Sequence, residues 1–367
     1  MMGVFAGNAN DTSVTHRLLQ QIAALQIKKD GVFPAGSFPS YRRYALNKTR
    51  WKADINPFFT GLIALTLRNM IPRLTPYQQQ TATGILARTQ PVFNKFLNRT
   101  GRTSYNFWPT DTVKVFPNGG WLNWMDKTEA IPDDLDDTSI ILMALDAPPE
   151  LVQRVHDSMQ LYANTRHRKV RNSFKRYRDL PAYSTWYGKN MPIDFDVSVL
   201  ANVLYMVQQY RLKWNASDSA SLQLLENSIK SGAIFSRPAY ISPHYERTPV
   251  ILYHLARLMA VRPIPELEQH RPLLVKTAKK LLLRSENILD QVILSTALLR
   301  WGQPATELQP PPAVAIEENT FCLFIAHMAS LAPNPFKTIL GALKITKFHY
   351  YCPAYNDLLL LEFAALK

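Results

Sequence analysis

Four carboxylates lie within five residues, in the segment Asp133-Asp134-Leu135-Asp136-Asp137, immediately before the apolar stretch 138–145. Capping of one helix does not require all four groups. Because like charges this close oppose each other's ionisation, at least one carboxyl pKa is expected to be raised. A carboxyl group that keeps its proton near neutral pH is suited to general-acid catalysis on a weak base such as an alkene or an epoxide.

Aromatic residues are concentrated upstream of the acidic segments. Those before the four carboxylates are Tyr105, Phe107, Trp108, Trp121 and Trp124, and those before the second acidic pair are Trp186 and Tyr187. Indole and phenol faces stabilise positive charge and, unlike water, do not add to it. We therefore predict an apolar, aromatic-lined cavity in which these side chains contact the substrate together with Asp54, Asp194 and Asp196.

Helices must position these residues, because most of the chain has apolar residues at helical spacing and alternating strand patterns are scarce. The 13 Gly and 26 Pro lie mainly between the apolar runs, as expected of breaks between helices. The sequence thus predicts an all-α fold. In six places a polar or Pro-rich loop brings an acid or amide to the start of an apolar helix, and these loops are 52–56, 132–137, 192–196, 243–246, 285–290 and 353–357.

Each apolar helix is separated from the next by enough chain for one further helix and a loop. Six such pairs predict an (α/α)6 toroid over residues 1–367, with six buried inner helices, an outer ring and a central cavity. Parallel inner helices would gather their acidic loops around one mouth. For Asp54, Asp290 and Asp357 the simplest interpretation is N-capping of the helix that follows.

The segment Asp134-Leu-Asp136-Asp137-Thr138 resembles the D-x-D-D-T-A motif of class II terpene cyclases, which include squalene-hopene cyclases, with Ser139 in place of the Ala. In that family the middle acid of the motif protonates the isoprenoid, and the fold is an α/α toroid. The resemblance implies that Asp136 is the general acid, that Asp134 and Asp137 tune and orient it, and that no cofactor is needed.

A second segment, Gln26-Ile-Lys-Lys-Asp30-Gly31-Val-Phe33, is similar to the Q-x-x-D-G-x-W repeat signature of such toroids. Typical class II cyclases combine two domains and place the active site between them, whereas 367 residues make one toroid. Either the cavity lies within the single ring, or a homodimer partner supplies its lid, or the fold is shared and the chemistry is not.

Positive charge is in excess, with 42 Lys and Arg against 28 Asp and Glu and a net charge of +14, which favours an anionic partner. Seven cations within Arg166–Arg178 predict an exposed face that contacts a membrane, from which an isoprenoid would be collected. A loop before the Asp54 helix holds candidates to bind a substrate diphosphate, with Mg2+ as a cofactor in that case. These are Arg42, Arg43, Arg50 and Lys52.

Several classes of protein are disfavoured. The sequence has no zinc-ligand spacing, Gly-rich phosphate loop or nucleic-acid motif, so we expect no metal centre and no nucleic-acid partner. Only two Cys are present, and the first residues lack an apolar leader, which predicts a reducing, cytoplasmic location. No stretch has the apolar length of a spanning helix, so any membrane contact would be peripheral, at the inner face.

Three alternatives remain open. The acidic segment also satisfies D-D-x-x-D, the Mg2+-binding signature of class I prenyl diphosphate enzymes, although here the acids open a helix rather than close one. An α/α toroid can also be a glycosidase or polysaccharide lyase, with Asp136 and either Asp194 or Asp196 as the carboxylate pair. In the third alternative the toroid is a non-catalytic, membrane-associated protein whose acids only cap helices.

Overall fold

The computed structural model describes residues 9–47, 50–111, 133–188, 191–306, 308 and 321–367. Most of these residues are helical, which confirms the predicted helical class. The α-helices are α1 Ala9–Leu25, α2 Phe58–Met70, α3 Pro76–Thr89, α4 Leu135–Ala144, α5 Pro149–Met159, α6 Val197–Gln209, α7 Ala216–Lys230, α8 Ala233–Ser236, α9 Pro238–Ile241, α10 Thr248–Val261, α11 Pro265–Glu268, α12 Arg271–Leu282, α13 Ile288–Arg300, α14 Phe336–Gly341 and α15 Pro353–Leu366.

The all-α prediction was too strict, because two small antiparallel sheets are present. Their strands are β1 Tyr41–Tyr44, β2 Lys52–Ala53, β3 Asp133–Asp134, β4 Trp186–Tyr187, β5 Ile325–His327 and β6 Lys347–Tyr351. The larger sheet has the order β2-β1-β6-β5, and the smaller one pairs β3 with β4. Each strand has only two to five residues, too short to establish an alternating pattern in the sequence.

Six apolar helices pack against one another in a closed cycle. The order is α2, α4, α6, α10, α13 and α15, and α15 packs against α2 to complete the cycle. All ten residues of α4 are buried, and α6 is buried from Val197 through Val207. A helix that is covered on every side by neighbours can be apolar around its whole circumference, which is the property that distinguishes these six sequences.

Less hydrophobic helices pack on this cycle. The helix α1 packs on α15 and α3. The helix α3 packs on α2, α7 packs on α6, and α12 packs on α13. The buried amide of Gln26 links the end of α1 to α3, since it donates to the carbonyl of Ile85 (3.1 Å) and accepts from Arg88 (2.7 Å). The segment that resembles the toroid repeat signature therefore joins two outer helices.

The first turns of the apolar helices lie together at one end of the cycle. Phe58, the first residue of α2, packs on Tyr245, which precedes α10, with ring centroids 6.2 Å apart. The Tyr245 hydroxyl donates to Asp136 in the first turn of α4. The backbone N–H of His244 donates to Asp196, the N-cap of α6 (2.8 Å). These contacts join the starts of α2, α4, α6 and α10.

Only some of the acids cap helices. Asp134 caps α4 and Asp196 caps α6, each accepting from two backbone N–H groups of the first turn. The capping interpretation was wrong for Asp54, Asp290 and Asp357. The N-cap positions of α2, α13 and α15 are occupied instead by Pro57, Asn287 and Cys352. Among the described residues, no helix has the length and hydropathy needed to cross a bilayer.

Candidate active site

Antiparallel pairing fixes the backbone of the four-carboxylate segment. In the β3-β4 ladder Asp133 lies opposite Tyr187 and Asp134 lies opposite Trp186. The N–H of Asp134 also donates to the carbonyl of Tyr105 (2.9 Å). Because successive side chains of a strand point to opposite faces, the carboxylates of Asp133 and Asp134 enter different surroundings.

Asp133 belongs to a structural ion pair. Its Oδ2 accepts from Asn98 Nδ2 (2.7 Å), from Arg102 Nη2 (2.8 Å) and from the Ser104 hydroxyl. The charge of this buried carboxylate is thus compensated by a cation and by neutral donors. Asp133 anchors the loop after α3 to the acidic segment.

Asp136 is buried and receives one hydrogen bond on each carboxylate oxygen. Oδ1 accepts from Asn202 Nδ2 (2.6 Å), and Oδ2 accepts from the Tyr245 hydroxyl. Burial raises the pKa of Asp136 to about 6, against the opposing effect of the two hydrogen bonds, and the charge of Asp196 adds to the rise. The folded protein therefore favours the protonated form of this acid more than water does.

The two other acids of the motif are also held towards their neutral forms. Burial, followed by the charge of Asp136, raises the pKa of Asp134 to about 7. Burial and the charges of Asp134 and Asp136 raise the pKa of Asp137 well above its ordinary value. Among the described residues, neither carboxylate oxygen of Asp137 has a hydrogen-bond donor. The sequence predicted raised pKa values from crowding alone, whereas burial is the larger cause.

The amide of Asn202 is oriented by a buried arginine. Arg257 Nη2 donates to Asn202 Oδ1 (2.7 Å), and a guanidinium has no acceptor to offer. The amide N–H of Asn202 must therefore point at Asp136. Arg257 itself lies near two aromatic rings, with its Cζ 5.4 Å from the Tyr205 centroid and 5.7 Å from that of Tyr253.

His244 joins the acidic loop before α6 to the centre of the site. Its Nε2 lies 3.3 Å from Asp194 Oδ2, and its Nδ1 lies 3.2 Å from the carbonyl of Ile325. Burial opposes protonation of His244, but the surrounding carboxylates, Asp194 first, outweigh it and raise its pKa. Burial likewise opposes ionisation of Asp194, but Lys337 and His244 outweigh it and lower its pKa.

Asp134 and Asp136 line a cavity of about 20 Å3. The other lining residues are Phe107, Thr185, Trp186, Val199, His244, Phe324 and Ala326. Phe324 stacks on His244 with the ring centroids 6.0 Å apart. This volume holds about one water molecule. The acids thus face aromatic walls across a narrow gap.

The structure brings some of the predicted aromatic residues to this cavity. Phe107 and Trp186 form part of its wall. Tyr187 is buried but is not a lining residue. Trp121 and Trp124 lie outside the described residues.

Asp54 forms a separate buried cluster. It accepts from Trp108 Nε1 (3.2 Å) and Asn56 Nδ2 (3.1 Å), and it pairs with Arg42 Nε (3.2 Å). Tyr105 is buried as well and acts through its backbone on the acidic segment. The positive charge of Arg42 is therefore paired with the carboxylate of Asp54.

Three of the four candidate diphosphate ligands lie on strands, whereas Arg50 lies in a loop as the sequence predicted. Arg42 and Arg43 are in β1, Lys52 is in β2, and Arg50 lies in the loop between β1 and β2, two residues before β2. Arg43 stacks over Trp51, with its Cζ 4.6 Å from the ring centroid. None of the four lines the described cavity beside Asp136.

Sequence reasoning missed five residues of the site. Two carried a usable signal, because His244 and Tyr245 lie in the loop 243–246, which is itself one of the six loops that precede the apolar helices. Asn202 and Arg257 are isolated polar residues in otherwise apolar helices, and such residues are buried only with partners. Phe324 offered no signal, since it enters the site through tertiary packing.

Comparison of the chain with protein-family models, with curated proteins and with solved structures found no match.

Proposed function

We propose that this chain is an (α/α)6 toroid that acts as a class II-type terpene cyclase, protonating an alkene or epoxide of an isoprenoid to start carbocation cyclisation. The observation that carries the proposal is Asp136, a buried carboxyl group with a raised pKa that lines an aromatic cavity. The closed cycle of six apolar helices, with less hydrophobic helices packed on it, supports the toroid.

Asp136 is the general acid in this proposal. Its proton forms a new C–H bond with the electron pair of a substrate double bond, and the other carbon of that bond becomes the cation. The carboxylate left behind is stabilised by the hydrogen bonds from Asn202 and Tyr245. Successive ring closures move the cation along the polyene, and loss of a proton to a base ends the reaction.

Aromatic side chains protect the cation. Phe107, Trp186 and Phe324 line the cavity next to Asp136, and their π faces stabilise positive charge without adding to it. A polyene needs more room than the one-water space beside Asp136, so substrate binding requires these wall side chains to move.

Two alternatives have less support from the geometry. A class I magnesium site needs Asp133, Asp134 and Asp137 to converge on one ion, but Asp133 pairs with Arg102 and Asp134 caps α4. In the part of the chain that the structure describes, no group of three His, Cys, Asp or Glu residues is arranged to hold a metal. A glycosidase pair with Asp194 needs a free carboxylate, whereas this one is held by His244 and Lys337.

The test is incubation of the purified protein with squalene, farnesyl diphosphate and geranylgeranyl diphosphate, with and without EDTA, and chromatography with mass spectrometry of the products. The proposal expects a cyclised product that forms in EDTA, with any diphosphate retained. Asp136→Asn is expected to lower the rate by at least about 100-fold. Asp290→Asn, which changes an acid in the first turn of α13, is expected to leave it unchanged.

Thermal unfolding of both variants establishes that they are folded. Full activity of Asp136→Asn, or a product that requires Mg2+ and releases diphosphate, would overturn the proposal. Absence of turnover by the folded wild-type protein on every substrate counts against it as well, and favours the non-catalytic alternative.

A further inference from the structure

An apolar ridge projects from the segment 336–345. Its members are Phe336 (58% exposed), Ile339 (60%), Leu340 (36%), Leu343 (45%) and Ile345 (51%). The first three follow the spacing i, i+3 and i+4, which places them on one face of α14. Leu343 and Ile345 lie in the turn and the 3-10 helix that directly follow α14. Single exposed apolar residues are ordinary, but a contiguous group of this kind marks an interaction surface.

The helix α14 is inverted relative to a normal surface helix, because its lysine points inward and its apolar side chains point outward. Lys337 is 3% exposed. Its Nζ lies 3.8 Å from Asp194 Oδ1 and 5.0 Å from the ring centroid of Tyr240. Burial of a lysine while isoleucine and phenylalanine face outward is unfavourable in water. The arrangement therefore suits an apolar medium on the outer side of α14.

Cations lie beside the ridge. Asn334 lies two residues before α14. Its backbone N–H donates to the carbonyl of Arg171, and its side-chain Nδ2 donates to the carbonyl of Ser173, both at 3.0 Å. This anchors α14 to the basic segment, whose exposed cations are Arg166, Arg168, Lys169, Arg171, Lys175 and Arg176. Residues 158–178 and 321–356 contain no Asp or Glu. Lys169 pairs with the exposed Asp179 (2.8 Å), and the other exposed cations leave this surface with a net positive charge.

We propose that the ridge inserts into the headgroup region of an anionic lipid bilayer while the basic segment contacts the lipid phosphates. A short apolar face beside clustered Lys and Arg is the combination that interfacial membrane binding requires. The ridge is connected to the candidate active site through α14. Lys337 on α14 pairs with Asp194, and His244, the other partner of Asp194, lines the cavity. The inference holds whether or not the cyclase proposal is correct.

The experiment is sedimentation of the full chain with vesicles of phosphatidylcholine alone or mixed with phosphatidylglycerol. The wild-type protein is expected to bind the anionic vesicles at least about 10-fold more tightly than the neutral ones, and less tightly at high salt. The double variant Ile339→Ser/Leu343→Ser is expected to lose about 10-fold in affinity for the anionic vesicles. The control Val32→Ser/Leu283→Ser removes apolar side chains that are 68% and 88% exposed and is expected to bind like wild type.

Because Ile339, Leu343, Val32 and Leu283 are all exposed, the unfolding temperatures of both double variants should match that of wild type. Failure of the wild-type protein to bind anionic vesicles, or equal binding by Ile339→Ser/Leu343→Ser, would overturn the proposal. Light scattering provides an independent check. A wild-type dimer that Ile339→Ser/Leu343→Ser converts to a monomer would assign the ridge to self-association and would also overturn it.

Discussion

At the scale of single residues, the carboxyl groups of Asp134 and Asp136 make the folded state bind protons more tightly than the unfolded state, because burial raises their pKa values to about 7 and about 6. Such groups contribute stability that is complete below the unfolded pKa of about 3.9 and is lost as the pH rises through the folded values. The raised pKa of His244 acts in the same direction. A protein built around these acids is therefore expected to lose stability as the pH rises from about 4 to about 7.

This reasoning predicts the effect of Asp136→Asn on unfolding. The variant has no carboxyl group at 136 to ionise, so the loss of unfolding free energy between about pH 4 and about pH 7 is expected to shrink by on the order of 2 kcal/mol. Urea titrations across that range measure it, with Asp290→Asn expected to keep the wild-type slope. A wild-type stability that increases over this range, or an unchanged slope in Asp136→Asn, would contradict the assigned pKa direction.

At the scale of elements, the β3-β4 ladder depends on the ion pair of Asp133. Arg102 donates to this buried carboxylate and stacks over the Tyr187 ring, with its Cζ 4.6 Å from the centroid. Arg102→Ala leaves the Asp133 charge without its cation and is expected to lower the unfolding free energy by about 3 kcal/mol. Chemical denaturation measures this loss.

The matched control for Arg102→Ala is Lys169→Ala, which breaks an ion pair whose two side chains are 68% and 82% exposed. Water screens such a pair, so the denaturation midpoint of this variant is expected to equal that of wild type. Equal effects of the two substitutions would show that the ladder does not rely on Arg102.

Local pattern was sufficient to predict the helices and the acidic loops, because helical spacing and capping chemistry are contained within a few neighbouring residues. It was insufficient for β1 and β6, which pair Tyr41 with Tyr351 and so depend on contacts across almost the whole chain. The same limit applies to Asp54, whose partners Arg42 and Trp108 decide against a capping role. The motif acids were found because they adjoin in sequence, whereas His244 joins them only in the folded chain.

At the scale of the whole molecule, closure of the helix cycle by α15 predicts one cooperative unfolding transition. Leu358 on α15 and Ile140 on α4 are both fully buried in one hydrophobic core. Leu358→Ala is expected to cost about 2 to 5 kcal/mol, and Ile140→Ala a similar amount, through the cavities they create. Each should shift the same single transition in calorimetry and circular dichroism, because every inner helix supports its two neighbours.

The exposed Leu283, at 88%, provides the control for the core substitutions, and Leu283→Ala should leave the transition in place. Separate transitions for α4 and α15, detected as two steps in either core variant, would contradict a closed cycle that unfolds as a unit.

The most direct test of the central claim is the origin of the first proton. In a cyclisation started by the Asp136 proton, the product formed in D2O carries one deuterium at the carbon that was protonated, because the carboxyl group exchanges with solvent. The account predicts a one-deuterium mass increase in the cyclised product of the wild-type protein, and no product from Asp136→Asn. A cyclised product without deuterium would show that the reaction starts by ionisation of a leaving group, and would contradict the role assigned to Asp136.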